Sequence, residues 1–493
     1  MDIAVLIFLG SGLFLGWSLG ANDAANVFGT AVGTRMVKFG TAALICSIFV
    51  ILGAVISGAG AAHTLGKLGA INAISGSFMA ALSAALTVYG MTRMSLPVST
   101  SQAIVGAIIG WNLYSGFPTD SSSLIKIVST WVACPVLAAV IGAFLYKLTV
   151  RFVRRTGWHM VRQDAYTRLA LIVAGAIGAY ALGANNIANV MGVFVSSNPF
   201  TSFEFWGVLT LSGVQQLFLI GGLAIAVGVF TYSKRVMMTV GDGLLPMSPV
   251  AAWVVVVAHS IVLLLFASEG LEHLLASAGL PTIPLVPVSS SQAVVGAVIG
   301  IGLLKGGRGI RWRVALNITT GWVTTPVISC GICFVSLFFL QNVFNQQVYQ
   351  DTTYNLSQSV LERLAKEGIP TTGLQQLKDS RIAGVKEFRG ALANSAELSA
   401  KQESKVLSLA ELEPIVIDTT RILNADFGTI TPTQIKAVLA LSGKQYQHAW
   451  QFSEALSELS AEWKLHPDTI INKTYNKRLR REIAYLIRIL EAQ

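Results

Sequence analysis

Up to about residue 340 the chain alternates long apolar runs with short polar breaks; beyond residue 341 that pattern stops. A run of about 20 apolar residues spans the roughly 30 Å hydrocarbon core of a bilayer as a helix. Such runs lie at about 3–21, 41–62, 69–90, 97–112, 124–147, 167–190, 205–230, 249–267, 285–304 and 314–340. The runs at 97–112 and 285–304 open on or near a proline, which predicts half-helices or re-entrant hairpins rather than plain spans. Several runs are rich in Gly, Ser and Ala, the residues that let helices pack closely in lipid. The first run has no basic stretch before it and no cleavage site after it, so it predicts a retained membrane helix.

The last third reads differently. Leu361 and Leu364 lead to a stop at Gly368-Ile369-Pro370, Pro432 opens another helix, and 474–491 has the spacing of a basic amphipathic helix. The expectation is a small all-α soluble domain over 341–493 with 474–491 packed in its own bundle; a membrane-surface or partner role for that helix is the alternative.

Composition sharpens this division. The chain is 53% hydrophobic and 12% charged, against about 25% charged in a soluble domain. Residues 1–340 hold 17 Lys/Arg and 8 Asp/Glu; residues 341–493 hold 18 and 17. The net charge of +10 lies mostly in loops of the membrane part and marks topology; no motif supports nucleic-acid binding. Arg35 and Lys38, Arg93, Arg151 to Arg168, Lys234 and Arg235, and Lys305 to Arg313 fall after alternate spans. Asp120, Glu204, Glu269 and Glu272 occupy the intervening loops, with Lys67 and Lys126 the basic exceptions. The positive-inside rule then places the basic loops in the cytoplasm of a plasma (inner) membrane protein, the N-terminus outside and, by parity, the tail outside. Cys46, Cys134, Cys330 and Cys333 lie in apolar segments and read as packing residues.

The membrane part repeats itself. Gly20-Ala21-Asn22-Asp23-Ala24-Ala25-Asn26 recurs as Gly183-Ala184-Asn185-Asn186-Ile187-Ala188-Asn189; Pro97-Val98-Ser99-Thr100-Ser101-Gln102 as Pro287-Val288-Ser289-Ser290-Ser291-Gln292; and Trp131-x-x-x-Pro135 as Trp322-x-x-x-Pro326. The offsets are 163, 190 and 191 residues. Five segments per half make the halves inverted, the build of secondary transporters with interrupted helices. The expected parts are membrane repeat 1 over 1–150, a basic cytoplasmic connector over 151–166, membrane repeat 2 over 167–340 and the tail over 341–493.

The motifs carry the chemistry. Proline sets the first turn of a helix, hydroxyls cap its free N–H groups, and such a terminus binds anions. One copy alone reads as capping and packing; two copies in matching positions point to one oxyanion held between them. Asn and Asp offer oxygen ligands to hard cations. A carboxylate in lipid stays charged only beside a cation, so Asp23 is a candidate cation or proton site, with a hydrogen-bonded buried Asp as the bland alternative. Asp242, beside Lys234 and Arg235, reads as a loop residue. No strong anion-clamping Arg lies inside a span, so helix termini and a co-bound cation must balance an anion, which is the logic of symport.

These paired motifs resemble those of the inorganic phosphate transporter (PiT) family, over about residues 1–340. The resemblance implies an all-α, inverted-repeat cation–phosphate symporter. It implies phosphate at Ser99, Thr100, Ser101 and Gln102 with Ser289, Ser290, Ser291 and Gln292. It implies cation binding or support at Asn22, Asp23 and Asn26 with Asn185, Asn186 and Asn189, with Na⁺ expected at Asp23, Asn22 and Asn186. Two positions depart from the family pattern: Asn186 stands where the second copy usually carries Asp, and Ser-Gln stands where many members have Thr-His.

Relatives of this kind also carry sulfate. Phosphate near neutral pH bears a proton and needs an acceptor, which Asp23 provides, so phosphate is the expected substrate and sulfate the alternative. Sparse acids favour Na⁺ over H⁺, because proton relays use chains of Asp, Glu and His. His63, His259 and His273 read as structural residues at or near segment ends. No enzyme is expected: an intramembrane protease would have to pair Asp23 with Asp242. A sensor with the tail as output is a remote alternative. No cofactor beyond the co-transported ion is expected, and a homodimer is compatible with Gly-rich helices.

Overall fold

The computed structural model describes residues 3–69, 71–93, 98–201, 203–205, 209–234, 236–237, 247–307, 309–418, 422 and 430–490. Pro97, Arg235, Asp242 and Arg308 lie outside the described residues. Helices dominate. Eight of them, among the described residues, are long and apolar enough to cross a membrane. These are α1 (Ile3–Gly33), α2 (Phe39–Ser57), α4 (Ile74–Arg93), α6 (Ser121–Thr156), α7 (Met160–Met191), α8 (Gly213–Thr231), α9 (Pro249–Ala267) and α12 (Trp312–Asn342). Between them lie the shorter α3 (Ala59–Leu68), α5 (Thr100–Ser115), α10 (Glu269–Ser277) and α11 (Ser290–Leu304). The two proline-led runs of the sequence are α5 and α11, too short to span and preceded by extended chain.

Four features differ from their expected form. The polar Gly-Ala-Asn stretches do not interrupt their helices: α1 continues to Gly33 and α7 runs unbroken to Met191. The run at 41–62 instead breaks at Gly58, whose missing Cβ leaves room for the Ile187 side chain and the Ala54 carbonyl. The run at 205–230 opens as a hairpin, β1 (Phe203–Phe205) against β2 (Leu209–Leu211), before the Ser212–Gln215 capping box starts α8. The expected connector is largely helical, because α6 reaches Thr156 before Gly157 (φ 55°) turns the chain and His159 caps α7.

Glycines set how these helices cross. Gly20 on α1 lies against the Ile225 carbonyl and Gly228 on α8 against the Trp17 carbonyl. The same exchange recurs between α7 and α2, where Gly183 meets the Val50 carbonyl and Gly53 the Tyr180 carbonyl. A third pair swaps the proline helices: Gly106 on α5 abuts Pro326 of α12, and Gly296 on α11 abuts Pro135 of α6. Each contact closes a backbone-to-backbone approach that any Cβ would prevent. Without a hydrophobic force between helices in lipid, such close packing is what holds a membrane bundle together.

The chain divides into two compact units. The first is Met1–Tyr114, Thr119–Leu271 and Ile283–Tyr349; the second is Ser115–Pro118, Glu272–Thr282 and Gln350–Gln493. The second unit has two cores. Tyr354, Leu361, Phe388 and Val406 centre one, which Phe117 joins; Ile415, Phe452, Trp463 and Leu479 centre the other. The tail is not purely helical. Strands β3 (Thr353–Asn355) and β4 (Arg381–Ala383) pair antiparallel, as do β5 (Ile415–Val416) and β6 (Gln445–Tyr446). Strands of two or three residues are too short to display an alternating pattern, so nothing in the sequence announces them. The basic helix of the tail, α18 (Lys473–Leu490), follows α13 (Gln358–Lys366), α14 (Val385–Ser395), α15 (Ala400–Ala410), α16 (Pro432–Leu439) and α17 (Ala449–Leu459). It buries Leu479, Ile483, Leu486 and Leu490 in the second core, as the bundle reading expects. Its Lys477 pairs with the buried Glu272 at 2.7 Å, and Lys473 with the same carboxylate at 3.5 Å.

Candidate functional site

The first unit brings the four motif copies together deep among α1, α5, α7 and α11. All fourteen candidate side chains from Asn22 to Gln292 are buried. Each half-helix starts the same way. Ser99 Oγ accepts from the Gln102 backbone N–H at 3.3 Å, and Ser289 Oγ accepts from that of Gln292 at 3.3 Å. This is side-chain N-capping, which satisfies one donor of each first turn and leaves others of that turn exposed to a ligand.

The two copies then cross over. Ser101 Oγ donates to the Val288 carbonyl at 3.1 Å, and Ser291 Oγ donates to the Val98 carbonyl at 3.3 Å. Each third hydroxyl of one copy therefore reaches the proline-side carbonyl of the other. The starts of α5 and α11, 190 residues apart in sequence, are clasped at one place.

The Asn-rich stretches of α1 and α7 brace this clasp. Asn22 Nδ2 donates to Asp23 Oδ1 at 3.0 Å and to the Val98 carbonyl at 3.1 Å. Asn185 does the same on the other side, donating to the Val286 carbonyl at 3.0 Å and accepting from Val288 N–H at 2.8 Å. Thr100 donates to Asp23 Oδ2 at 3.2 Å. Asn189 Nδ2 donates to Ser101 Oγ and to Asn186 Oδ1, both at 2.8 Å. Of the three residues expected around Na⁺, Asn22 and Asp23 touch each other, while Asn186 belongs to the neighbouring Ser101–Asn189 group.

Several polar atoms of this cluster have no partner among the described residues. They are the amide nitrogens of Asn26 and Asn186, and the carbonyl oxygens of Gln102, Asn189 and Gln292. A buried polar group left unpaired costs about 1–3 kcal/mol. Five such groups around two open helix N-termini make a place where an oxyanion and a cation together recover that cost. Asp23 is the sole carboxylate among the fourteen residues.

Reasoning from sequence missed one member. His259 lies well inside α9, fully buried, with Nε2 2.9 Å from Ser290 Oγ and Nδ1 without a partner among the described residues. Its signal was a lone histidine between Val256 and Val262 in an apolar run, where polar groups are expensive. A separate cavity of about 420 Å³, lined by Met36, Arg154, Gln163, Asp164, Thr167 and Ser248, shares no residue with either motif.

Comparison with known proteins shows what the chain is similar to. The family model described as "Phosphate transporter family" matches residues 19–333 and 274–405. A provisionally named phosphate permease of Methanocaldococcus jannaschii is 26% identical, over 68% of this chain and 97% of its own length. The sulfate permease CysP of Bacillus subtilis is 30% identical, over 70% of this chain and 90% of its own. A solved structure, "The sodium-dependent phosphate transporter", superposes with a TM-score of 0.55 at 23% identity, covering 69% of this chain and 99% of that one.

Proposed function

This chain belongs to the phosphate transporter family, whose members are permeases and not enzymes, and from that premise we propose that it imports inorganic phosphate by symport with a cation. The observation that carries this reading is the reciprocal clasp of Ser101 on Val288 and Ser291 on Val98. It aims two half-helix N-termini at one point, and such termini bind oxyanions through free N–H groups and the helix dipole. The hydroxyls of Ser99 and Ser290, with the unpaired amides of Asn26 and Asn186, complete the anion's donors.

Asp23 supplies the negative charge that a cation needs. A bound cation offsets it, and the anion then enters a site no longer repelling it; each ion thereby raises the other's affinity. Na⁺ is the favoured driver, held by Asp23 with oxygens of Asn22 and neighbouring amides. The sodium dependence named for the structural relative is consistent with this choice. The exchanged glycine contacts between α1 and α8 and between α7 and α2 support two inverted halves. Two halves rocking about a central site would give alternating access in the plasma membrane.

A sulfate permease is the second reading, favoured by CysP and by Asn186, which removes a carboxylate that would bind a proton or a second cation. Uptake of radiolabelled phosphate into proteoliposomes, with unlabelled sulfate as competitor, separates the two. Sulfate that displaces phosphate at equal concentration makes the second reading the correct one.

A further inference from the structure

We propose that His259 is a positioning residue of the anion site: it donates from Nε2 to Ser290 Oγ and so frees the Ser290 proton for the transported oxyanion. The inference rests on the transport reading above and deepens it.

A hydroxyl has one proton to give, so the protons of the six motif hydroxyls can be traced. Thr100 gives its proton to Asp23, because a carboxylate only accepts. Ser101 and Ser291 give theirs to the Val288 and Val98 carbonyls, which also only accept. With the Ser291 proton committed, the 3.0 Å contact between Ser289 and Ser291 runs from Ser289 to Ser291. Ser99 accepts from Gln102 N–H and keeps its proton. Four of the six donors are spent inside the protein.

Ser290 is the one that hangs on its partner. It is the repeat counterpart of Thr100, 190 residues on, at the first position of its half-helix. Thr100 faces a carboxylate that takes its proton; Ser290 faces an imidazole 2.9 Å away. A neutral imidazole carries its proton on one nitrogen only. With the proton on Nε2, His259 donates and the Ser290 O–H points elsewhere. With the proton on Nδ1, Ser290 must donate to Nε2 and its proton is lost to the ligand. An anion beside Ser290 selects the first arrangement, because donated hydrogen bonds to an anion are the strong ones. Nδ1, without a partner among the described residues, then carries the lone pair rather than the proton. The two hydroxyls at the head of the half-helices thus divide the work. Thr100 serves the cation side through Asp23, and Ser290 serves the anion side through His259.

The test is phosphate uptake by the full chain in proteoliposomes, comparing wild type with His259→Leu, His259→Gln, Ser290→Ala and the Leu/Ala double variant. Losing one hydrogen bond to an anion weakens binding by about tenfold or more. His259→Leu and Ser290→Ala should each raise the phosphate KM by about that factor with little change in maximal rate, and the double variant should be no worse than either. His259→Gln, whose amide N–H₂ replaces the Nε2–H donor, should recover KM to within roughly threefold of wild type. A His259→Leu variant with unchanged KM, a Gln variant as impaired as Leu, or additive single effects overturns the inference. Should the Leu variant fail to fold, the Gln and Ser290→Ala variants decide alone. Wild type that carries no phosphate overturns the transport reading instead.

Discussion

Asp23 concentrates the chemistry of the site in one side chain. It is buried, accepts from Asn22 and Thr100, and has no carboxylate counterpart, since Asn186 fills the equivalent position. Replacing Asp23 by Asn keeps the size and removes the charge that balances a cation. Cation-driven phosphate uptake should fall by roughly 10–100-fold, the span of one lost charge-assisted interaction. Unchanged uptake would refute a cation role for Asp23. The complementary change, Asn186→Asp, restores a second carboxylate and should add one cation per phosphate, read from the gradient at which net flux reverses. The residues at this scale were legible because the sequence spells each motif twice, and duplication separates a site from ordinary helix capping. His259 was not legible, because it has no repeat and gains its meaning only from α9 lying beside the start of α11.

At the scale of elements, the glycine crossings make firm predictions. Gly296 has no room for a side chain beside Pro135, so Gly296→Val should force α11 from α6 and lower the unfolding midpoint in detergent. Overpacking of this kind costs about 1–3 kcal/mol. Gly331→Ala, with nothing within 4 Å of the added methyl, should leave the midpoint unchanged or raise it. In the second unit the sensitive element is α17. His448, which precedes it, gives its Nδ1 proton to the Glu411 carbonyl at 2.7 Å, and its Nε2 is buried without a partner among the described residues. Burial holds its pKa below the usual 6.5, against a smaller opposing pull from that carbonyl. The unfolded chain therefore takes a proton near pH 6.5 that the folded unit refuses, so stability is present above that pH and falls below it. Hydrogen-exchange protection of Ala449–Leu459, corrected for intrinsic rates, should drop between about pH 7 and 5; constant protection would contradict this. The spans were readable from length and apolarity alone. The break at Gly58, the continuity of α1 through its polar stretch and the short strands depend on neighbours distant in sequence, which periodicity does not see.

For the whole molecule, eight helices among the described residues are long and apolar enough to cross a membrane, and both ends are proposed to share one side if the segments that carry α5 and α11 cross as well. The second unit includes Ser115–Pro118 and Glu272–Thr282, which come from loops free of the basic clusters. By the positive-inside rule the tail is proposed to lie outside the cell. A cysteine placed at the exposed Lys401 should react with an impermeant maleimide added to whole cells; labelling only after lysis would put the tail in the cytoplasm. The most direct measurement is radiolabelled phosphate uptake into proteoliposomes under an inward Na⁺ gradient or an inward H⁺ gradient, with sulfate as competitor. A Na⁺–phosphate symporter should show uptake driven by Na⁺ and indifferent to sulfate. Uptake driven only by H⁺, or blocked by sulfate, would contradict it.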